Sequence, residues 1–295
     1  MTVGASLAAA ICDLQDAGDP TAALDAEVLL AHTRRCTRED LLAHRDAGMS
    51  PEESSAFAAL VARRRRFEPV AYLTGVKEFY GREFLVTPEV LIPRPATETL
   101  VDAVRNATPP TYAGSILDVG TGSGNIAITL ALERPRVQVT ATDSSTAALT
   151  VARANAIRLG AHVPFLQSDL LRHEALSTPD ILVANLPYLP QEVPTYPEEI
   201  AAHRYEPASA LYGGGTQGEG LIEELVRSLA QRGWRPSLVL LEIDPRQETH
   251  LTELAKTLFP QCGATVLPDL TGAPRVLRLA MNEKTANQAD TGTDG

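Results

Sequence analysis

Residues 115–133 read SILDVGTGSGNIAITLALE. An apolar run ends in an acid, a turn with three glycines in five positions follows, and an apolar stretch of helical length comes next. That is a strand, a glycine-rich turn and a helix. Glycines permit positive φ and let a ligand approach the backbone closely. In an open α/β sheet, ligands bind beyond the carboxyl ends of the strands, where this turn lies. A phosphate-binding P-loop needs GxxxxGK[ST], and no lysine follows these glycines. The dinucleotide fingerprint needs GxGxxG, whereas position 125 is Asn and the spacing is GxGxG. Asp118 followed by Gly120, Thr121, Gly122, Ser123 and Gly124 therefore favours an adenosine ligand without a pyrophosphate.

Working outward, strands alternate with helical segments. Strands are expected at 115–119, 137–142, 163–167, 180–184, 238–243, 265–267 and 276–279, and helices at 125–133, 146–159, 220–231 and 247–258. The alternation predicts an α/β fold whose mainly parallel sheet is covered on both faces. The last two strands are joined by residues 268–274 with no helix between them, so the final strand should run antiparallel. Upstream of residue 75 the pattern is helical. Asp19-Pro20 is expected to open one helix, and Ser50-Pro51-Glu52-Glu53 another through a capping box. The expected organisation is a helical domain over 1–75, a hairpin linker over 76–95 around Gly81, a catalytic domain over 96–281 and a disordered polar tail over 282–295. The glycines at 213–215, 218 and 220 are expected to form a flexible loop, a lid beside the acceptor site.

Composition limits the function classes. At about 150 residues per domain, 295 residues correspond to about two domains. With 44% hydrophobic and 21% charged residues, the chain is an ordinary globular one. Its 26 basic and 37 acidic residues give a net charge of −11, which disfavours stable binding to nucleic acid. Cys12, Cys36 and Cys262 are too far apart in sequence for a disulfide framework or CxxC metal spacing. The six histidines show no metal-ligand spacing either, and no metal is expected. No apolar run approaches the roughly 20 residues of a membrane span, and no secretory leader is visible. The expected compartment is the cytoplasm.

Two further acids sit at strand ends. Asp143 follows the second strand of the sheet, where a carboxylate accepts from both hydroxyls of a ribose and repels a phosphate. Asp169 follows the third, where it can accept from an adenine amino group. Either is also an ordinary turn former, but three strand-end acids beside the glycine turn favour the ligand reading. Asn185-Leu186-Pro187-Tyr188 ends the fourth strand. The Asn185 side-chain oxygen and the Leu186 carbonyl can both accept from one –NH2 group, and Tyr188 can pack on a flat amide or base. Two acceptors holding the hydrogens of a planar nitrogen favour its pyramidalisation and aim its lone pair at an electrophile, with proximity carrying much of the rate. A plain proline turn after a strand is the other reading.

Together these residues resemble the HemK/PrmC family, protein-(glutamine) methyltransferases that modify peptide-chain release factors. The likeness runs to about residue 280. Arg66-Phe67-Glu68-Pro69 with Tyr72, Gly75 and Phe79-Tyr80-Gly81 is similar to the family's linker motif, and Ile92-Pro93-Arg94-Pro95 with Thr97-Glu98 to its proline-arginine-proline segment. Residues 118–124 resemble its S-adenosylmethionine loop, and residues 185–188 its catalytic motif. Tyr205-Glu206-Pro207, Leu241-Glu242-Ile243, and Asp269-Leu270 with Gly272 and Arg275 resemble its later signatures. The resemblance implies a class I methyltransferase fold with seven strands and a small N-terminal helical domain that helps recognise the release factor. It implies that residues 120–124, Asp143 and Leu170 line S-adenosylmethionine with Asp169 nearby, and that residues 185–188 hold the target glutamine. Two positions depart from the family pattern: Leu186 replaces the first proline of NPPY, and Ala96 stands where an acid is common.

The expected activity is methyl transfer from S-adenosylmethionine to the amide nitrogen of the glutamine in the Gly-Gly-Gln loop of class I release factors. Alternatives are an adenine amino group of RNA or DNA, which the NLPY form also resembles, a glutamine of a ribosomal protein, and cofactor binding without catalysis. The acidic net charge opposes the nucleic-acid reading, and Asn185 with Tyr188 opposes the non-catalytic one.

Overall fold

The structure is a computed structural model that describes residues 1–191 and 203–281; the expected tail over 282–295 lies outside the described residues. Two compact units emerge. One holds Met1–Lys77 with Val86–Pro88 and a stretch ending at Glu206; the other holds Glu78–Leu85 and the rest of the chain from Glu89.

In the first unit, helices α1 (Val3–Asp16), α2 (Ala22–Arg34), α3 (Arg38–Ala43), α4 (Pro51–Arg64) and α5 (Val70–Thr74) enclose a core of Leu7, Leu14, Leu29, Leu30, Phe57 and Val61. The capping box at the start of α4 is complete: Glu53 N donates to Ser50 Oγ at 3.1 Å, and Ser50 N to Glu53 Oε2 at 2.9 Å. Asp19 does not open α2. That helix begins at Ala22 after Thr21, with no side-chain cap. Asp19 Oδ1 instead accepts from the Thr21 amide and hydroxyl, both at 3.0 Å, while its Oδ2 meets Arg64 Nε at 2.9 Å. The same Nε lies 2.7 Å from Asp25. A half-buried guanidinium between two carboxylates claims Asp19 more strongly than a helix end needing one cap.

Residues 76–95 are divided between the two units, with Val76–Lys77 and Val86–Pro88 in the first and the rest in the second. Strands β1 (Val76–Phe79) and β2 (Arg82–Leu85) form the expected hairpin. Its aromatic residues belong to the core of the second unit: Phe79 and Phe84 are buried edge-to-face, 6.1 Å between centroids, among Leu100 of α6 (Glu98–Ala107), Ile116, and Ile128 of α7 (Asn125–Glu133). Asn155, in α8 (Thr146–Leu159), is wholly buried, accepts from Leu85 N and donates to the carbonyls of Leu85 and Ser123. One side chain thus fixes both the hairpin and the glycine turn.

The second unit is built on seven strands: β3 (Ser115–Val119), β4 (Gln138–Asp143), β5 (Phe165–Gln167), β6 (Ile181–Ala184), β7 (Leu238–Glu242), β8 (Gly263–Pro268) and β9 (Pro274–Ala280), in the order β5-β4-β3-β6-β7-β9-β8. Pairing is parallel from β5 to β7, and β9 runs antiparallel to both neighbours. Every residue of β6 and β7 is buried, as expected for strands covered on both faces. Chain direction across the sheet reverses at β3, between β4 and β6. There Val119 is in register with Thr142 on one side and Ala184 on the other, and Ala184 with Leu241 of β7. The carboxyl ends that carry Gly120, Asp143, Asn185 and Glu242 therefore converge at the topological switch point.

Candidate active site

Gly120 and Thr121 both donate their amides to Thr142 O, at 2.9 and 2.8 Å, which folds the glycine turn over the end of β4. Gly120, Gly122 and Gly124 all have positive φ. A Cβ on Gly120 would stand 2.8 Å from Leu186 Cδ2. The turn and the acceptor segment thus pack directly on one another, and glycine is required for both conformation and space.

A cleft with about 960 Å³ of free space, its mouth included, opens at this junction. Of the residues singled out in the sequence, Gly120, Thr121, Gly122, Ser123, Asp143, Asp169, Leu170, Asn185, Leu186 and Pro187 line it. Asp143 is held by the amides of Gly122, onto Oδ2 at 2.9 Å, and Ser145, onto Oδ1 at 2.9 Å. Burial raises its pKa against these hydrogen bonds. Its remaining lone pairs suit two hydroxyl donors. Leu170 has φ 48, unusual for a branched side chain, and with Ile126 contributes apolar surface to the wall. The donor set thus fits a nucleoside with free ribose hydroxyls.

Three expected site residues lie behind the wall. Asp118 is wholly buried beneath the turn, accepts the Thr121 hydroxyl at 2.6 Å, and does not line the cleft. Desolvation pushes its pKa up to about 7. Gly124 is the residue before helix α7 (Asn125–Glu133), and a Cβ there would stand 2.8 Å from Ile128 and 3.2 Å from Ala152. Its role is helix packing. Tyr188 does not offer its hydroxyl to the cleft; that group donates to Glu242 Oε1 at 3.0 Å. Burial, with the Glu242 charge beside it, holds the phenol far above its ordinary pKa, so it is no base at neutral pH. Asp169 lines the cleft, but its carboxylate is more than half exposed and paired with Arg172, which also reaches Glu224. An adenine amino group would compete with that pair.

The acceptor segment is clamped from behind. Gln247, wholly buried, donates to the carbonyls of Tyr188 at 2.9 Å and Gln217 at 2.8 Å. A Cβ on Gly213 would stand 2.3 Å from Pro187 O, and one on Gly218 2.0 Å from Tyr188 O. The glycine segment expected as a flexible lid is instead the floor on which the acceptor turn rests. Only a residue without a side chain lets two backbones approach so closely.

The sequence reading gave no role to Thr97, Glu242 or Gln247. Thr97 is buried yet lines the cleft, and its Oγ1 accepts from Asn185 Nδ2 at 3.0 Å. Glu242 is 1% exposed at the end of β7. Burial raises its pKa, opposed by hydrogen bonding to Thr97 and Tyr188 and by the nearby charges of Arg275 and Arg94. A run of strand residues ending in Glu within an otherwise apolar block was the available signal. Among the described residues, folding also brings Glu219, Glu223 and His250 within 4.8 Å of one another. Glu219 is already engaged by the amides of Thr216 and Gln217, and Glu223 by His250 and Arg227.

Comparison with known proteins agrees with this geometry. Residues 6–75 match the PrmC N-terminal domain and residues 94–202 the methyltransferase small domain. A release factor glutamine methyltransferase of Koribacter versatilis is 39% identical over 284 residues, covering 94% of this chain and 98% of that protein. One of Moorella thermoacetica is 40% identical over 278 residues, covering 93% and 97%. Among solved structures, the hMettl16 catalytic domain bound to an RNA hairpin superposes with a TM-score of 0.54 at 13% identity, over 77% of this chain and 91% of that one, a likeness of fold. On the near full-length match to these relatives, the chain belongs to the HemK/PrmC family of release factor glutamine methyltransferases.

Proposed function

We infer that this protein transfers a methyl group from S-adenosylmethionine to the side-chain amide nitrogen of the glutamine in the Gly-Gly-Gln loop of class I release factors, in the cytoplasm. The observation that carries the reading is the committed orientation of Asn185. Its amide nitrogen is engaged by Thr97, so its oxygen is the group left to face the cleft. An acceptor there, beside the Leu186 carbonyl, suits the –NH2 of a primary amide.

When bound, S-adenosylmethionine would supply an electrophilic methyl on a sulfonium. Asp143 would hold the ribose hydroxyls, the glycine turn would line the cofactor, and Leu170 and Ile126 would offer apolar surface to it. Asn185 Oδ1 and the Leu186 carbonyl accept the two amide hydrogens of the target. That arrangement weakens conjugation of the nitrogen with its carbonyl and orients its lone pair, so positioning carries the rate. No strong base is required, because the proton leaves only after the nitrogen has become cationic. Leu186 keeps the backbone carbonyl that this role uses, without the fixed φ of a proline.

The test is transfer of labelled methyl to purified release factor, to its Gly-Gly-Ala variant and to RNA, with the label located by mass spectrometry. Label on the wild-type release factor and none on the variant is expected. Label on RNA alone would overturn the reading.

A further inference from the structure

Tyr188 closes the acceptor segment, and the chain at and after the end of β7 holds it at two points. Its hydroxyl donates to Glu242 Oε1 at 3.0 Å, and its backbone carbonyl accepts from Gln247 Nε2 at 2.9 Å. The first contact fixes a ring. The second bears on the backbone that presents Asn185 and the Leu186 carbonyl.

Gln247 is wholly buried and ends the short 3-10 turn Pro245–Gln247, which leads from β7 into the helix Glu248–Leu258. Both ends of its amide are engaged. The oxygen accepts from Asp244 N at 3.1 Å, which decides the way the amide faces. The nitrogen then gives hydrogens to Tyr188 O and, at 2.8 Å, to Gln217 O. A carbonyl oxygen only accepts, so neither partner tolerates the flipped amide. Tyr188 and Gln217 both lie in irregular backbone. Such backbone has no ladder to satisfy its polar groups, so a buried side-chain donor decides where it rests.

The segment that carries Gln217 is itself anchored. Glu219 accepts from the amides of Thr216 and Gln217 at 3.2 and 2.6 Å, and Leu221 N donates to Gly213 O at 2.9 Å. The acceptor turn lies directly against it, since a Cβ on Gly218 would stand 2.0 Å from Tyr188 O. Contact alone permits sliding. A donor shared between the two backbones does not.

We propose that Gln247 is a positioning residue for methyl transfer: by donating to the carbonyls of Tyr188 and Gln217 at once, it locks the acceptor turn onto the anchored glycine segment and so sets where Asn185 Oδ1 and the Leu186 carbonyl stand in the cleft. This inference rests on the reading of those two oxygens as acceptors of the target amide. Gln247 itself does not line the cleft. It acts through the backbone of Tyr188.

Two variants separate its donors from its acceptor. Gln247→Glu keeps the length of the side chain and an oxygen for Asp244 N, but it has at most one hydrogen to give, so at least one of the two carbonyls loses its donor. Gln247→Met keeps the bulk and gives up both the donors and the oxygen. With purified release factor as methyl acceptor, kcat should fall by about tenfold or more in each, toward the roughly 100-fold that a misplacement of about 1 Å costs. The Kd for S-adenosylhomocysteine should change less than about threefold, because Asp143 and Gly122 hold the other side of the cleft through a separate hydrogen bond. A role confined to capping the 3-10 turn would slow Gln247→Met and leave Gln247→Glu near wild type. A general role in core stability would lower kcat and cofactor affinity together.

A Gln247→Glu enzyme that keeps more than about a tenth of the wild-type kcat overturns the proposal. So does a Gln247→Met enzyme that keeps as much, a result that is decisive if Gln247→Glu does not fold. Cofactor affinity that falls in step with kcat overturns it as well. Asn185→Ala separates the two levels of inference. If it turns over normally, the acceptor reading itself fails. If it is inactive while Gln247→Glu is not slowed, only the positioning role fails.

Discussion

Leu186 Cδ2 occupies the space beside Gly120 that a β-carbon would fill, 2.8 Å from where that carbon would stand. The residue that departs from the family's NPPY pattern thus packs against the glycine turn. Leu186 is 5% exposed and part of a core that includes Val119 and Ala184. Its side chain couples the acceptor segment to the cofactor turn, a coupling that a proline ring would make with fewer atoms.

Leu186→Ala should cost about 2–4 kcal/mol in urea unfolding, the range for a buried leucine truncated in a packed core. It should also weaken S-adenosylhomocysteine binding several-fold by calorimetry. Gly120→Ala should be worse, combining a φ of 75° with the clash. In the double variant the clash is gone and only the backbone strain remains. The two losses should therefore add to less than their sum by about 1 kcal/mol or more. Strict additivity would show that the contact does not couple the two segments.

Gly218→Ala and Gly213→Ala should each lower kcat by about tenfold or more, since each added carbon displaces a carbonyl of the acceptor turn. Affinity for S-adenosylhomocysteine should hold, because Asp143 and Gly122 lie on the other side of the switch point. A mobile lid would accept alanine at either position with little effect on turnover, so steady-state rates against cofactor Kd separate the two roles.

The sheet could be read from the sequence because its signals are local. Apolar runs, the GxGxG spacing and the helix after each strand lie within a few residues of one another, and parallel order follows from connection length. Contacts distant in sequence could not be read this way. Asp19 has the appearance of a helix cap until Arg64 arrives from α4 to claim it. Phe79 and Phe84 give a hairpin pattern, but nothing local says which core they fill. At the site, Asp143 and Asn185 were legible because strand ends gather ligands. The partner of the Tyr188 hydroxyl, Glu242, comes from a strand far along the chain and is not a local signal. Asp118 announces itself as a strand-end acid, yet the turn folds over it and uses it from below.

Asp143→Asn tests the ribose contact. The variant keeps one oxygen, which can serve the Gly122 amide or the Ser145 amide, each of which now has its own, and loses the second acceptor. The KM for S-adenosylmethionine should rise by about tenfold or more, with a smaller effect on kcat. Because burial raises the Asp143 pKa, wild-type cofactor affinity should fall on acidification as the carboxylate takes up a proton. The same titration of the Asn variant should be flatter. Equal pH dependence in both would show that another group governs binding.

Asp118 makes a separate prediction about stability. Its pKa rises from 3.8 to about 7 because burial disfavours the charge more than the Thr121 hydroxyl and the Ala127 amide support it. Its Oδ1 has no hydrogen-bond partner. Between the two values the folded chain holds a proton that the unfolded chain has released, so the stability from this group is greatest below about pH 4 and is lost as pH rises through 7. Asp118→Asn cannot ionise and still offers an oxygen to Thr121. Relative to wild type, the variant should gain urea stability from pH 5 to about pH 7 and level off above it, whatever the other groups contribute to both proteins. Curves that stay parallel over this range would mean that Asp118 keeps its charge through folding. The turn would then have to supply a donor to Oδ1 that its present geometry does not show.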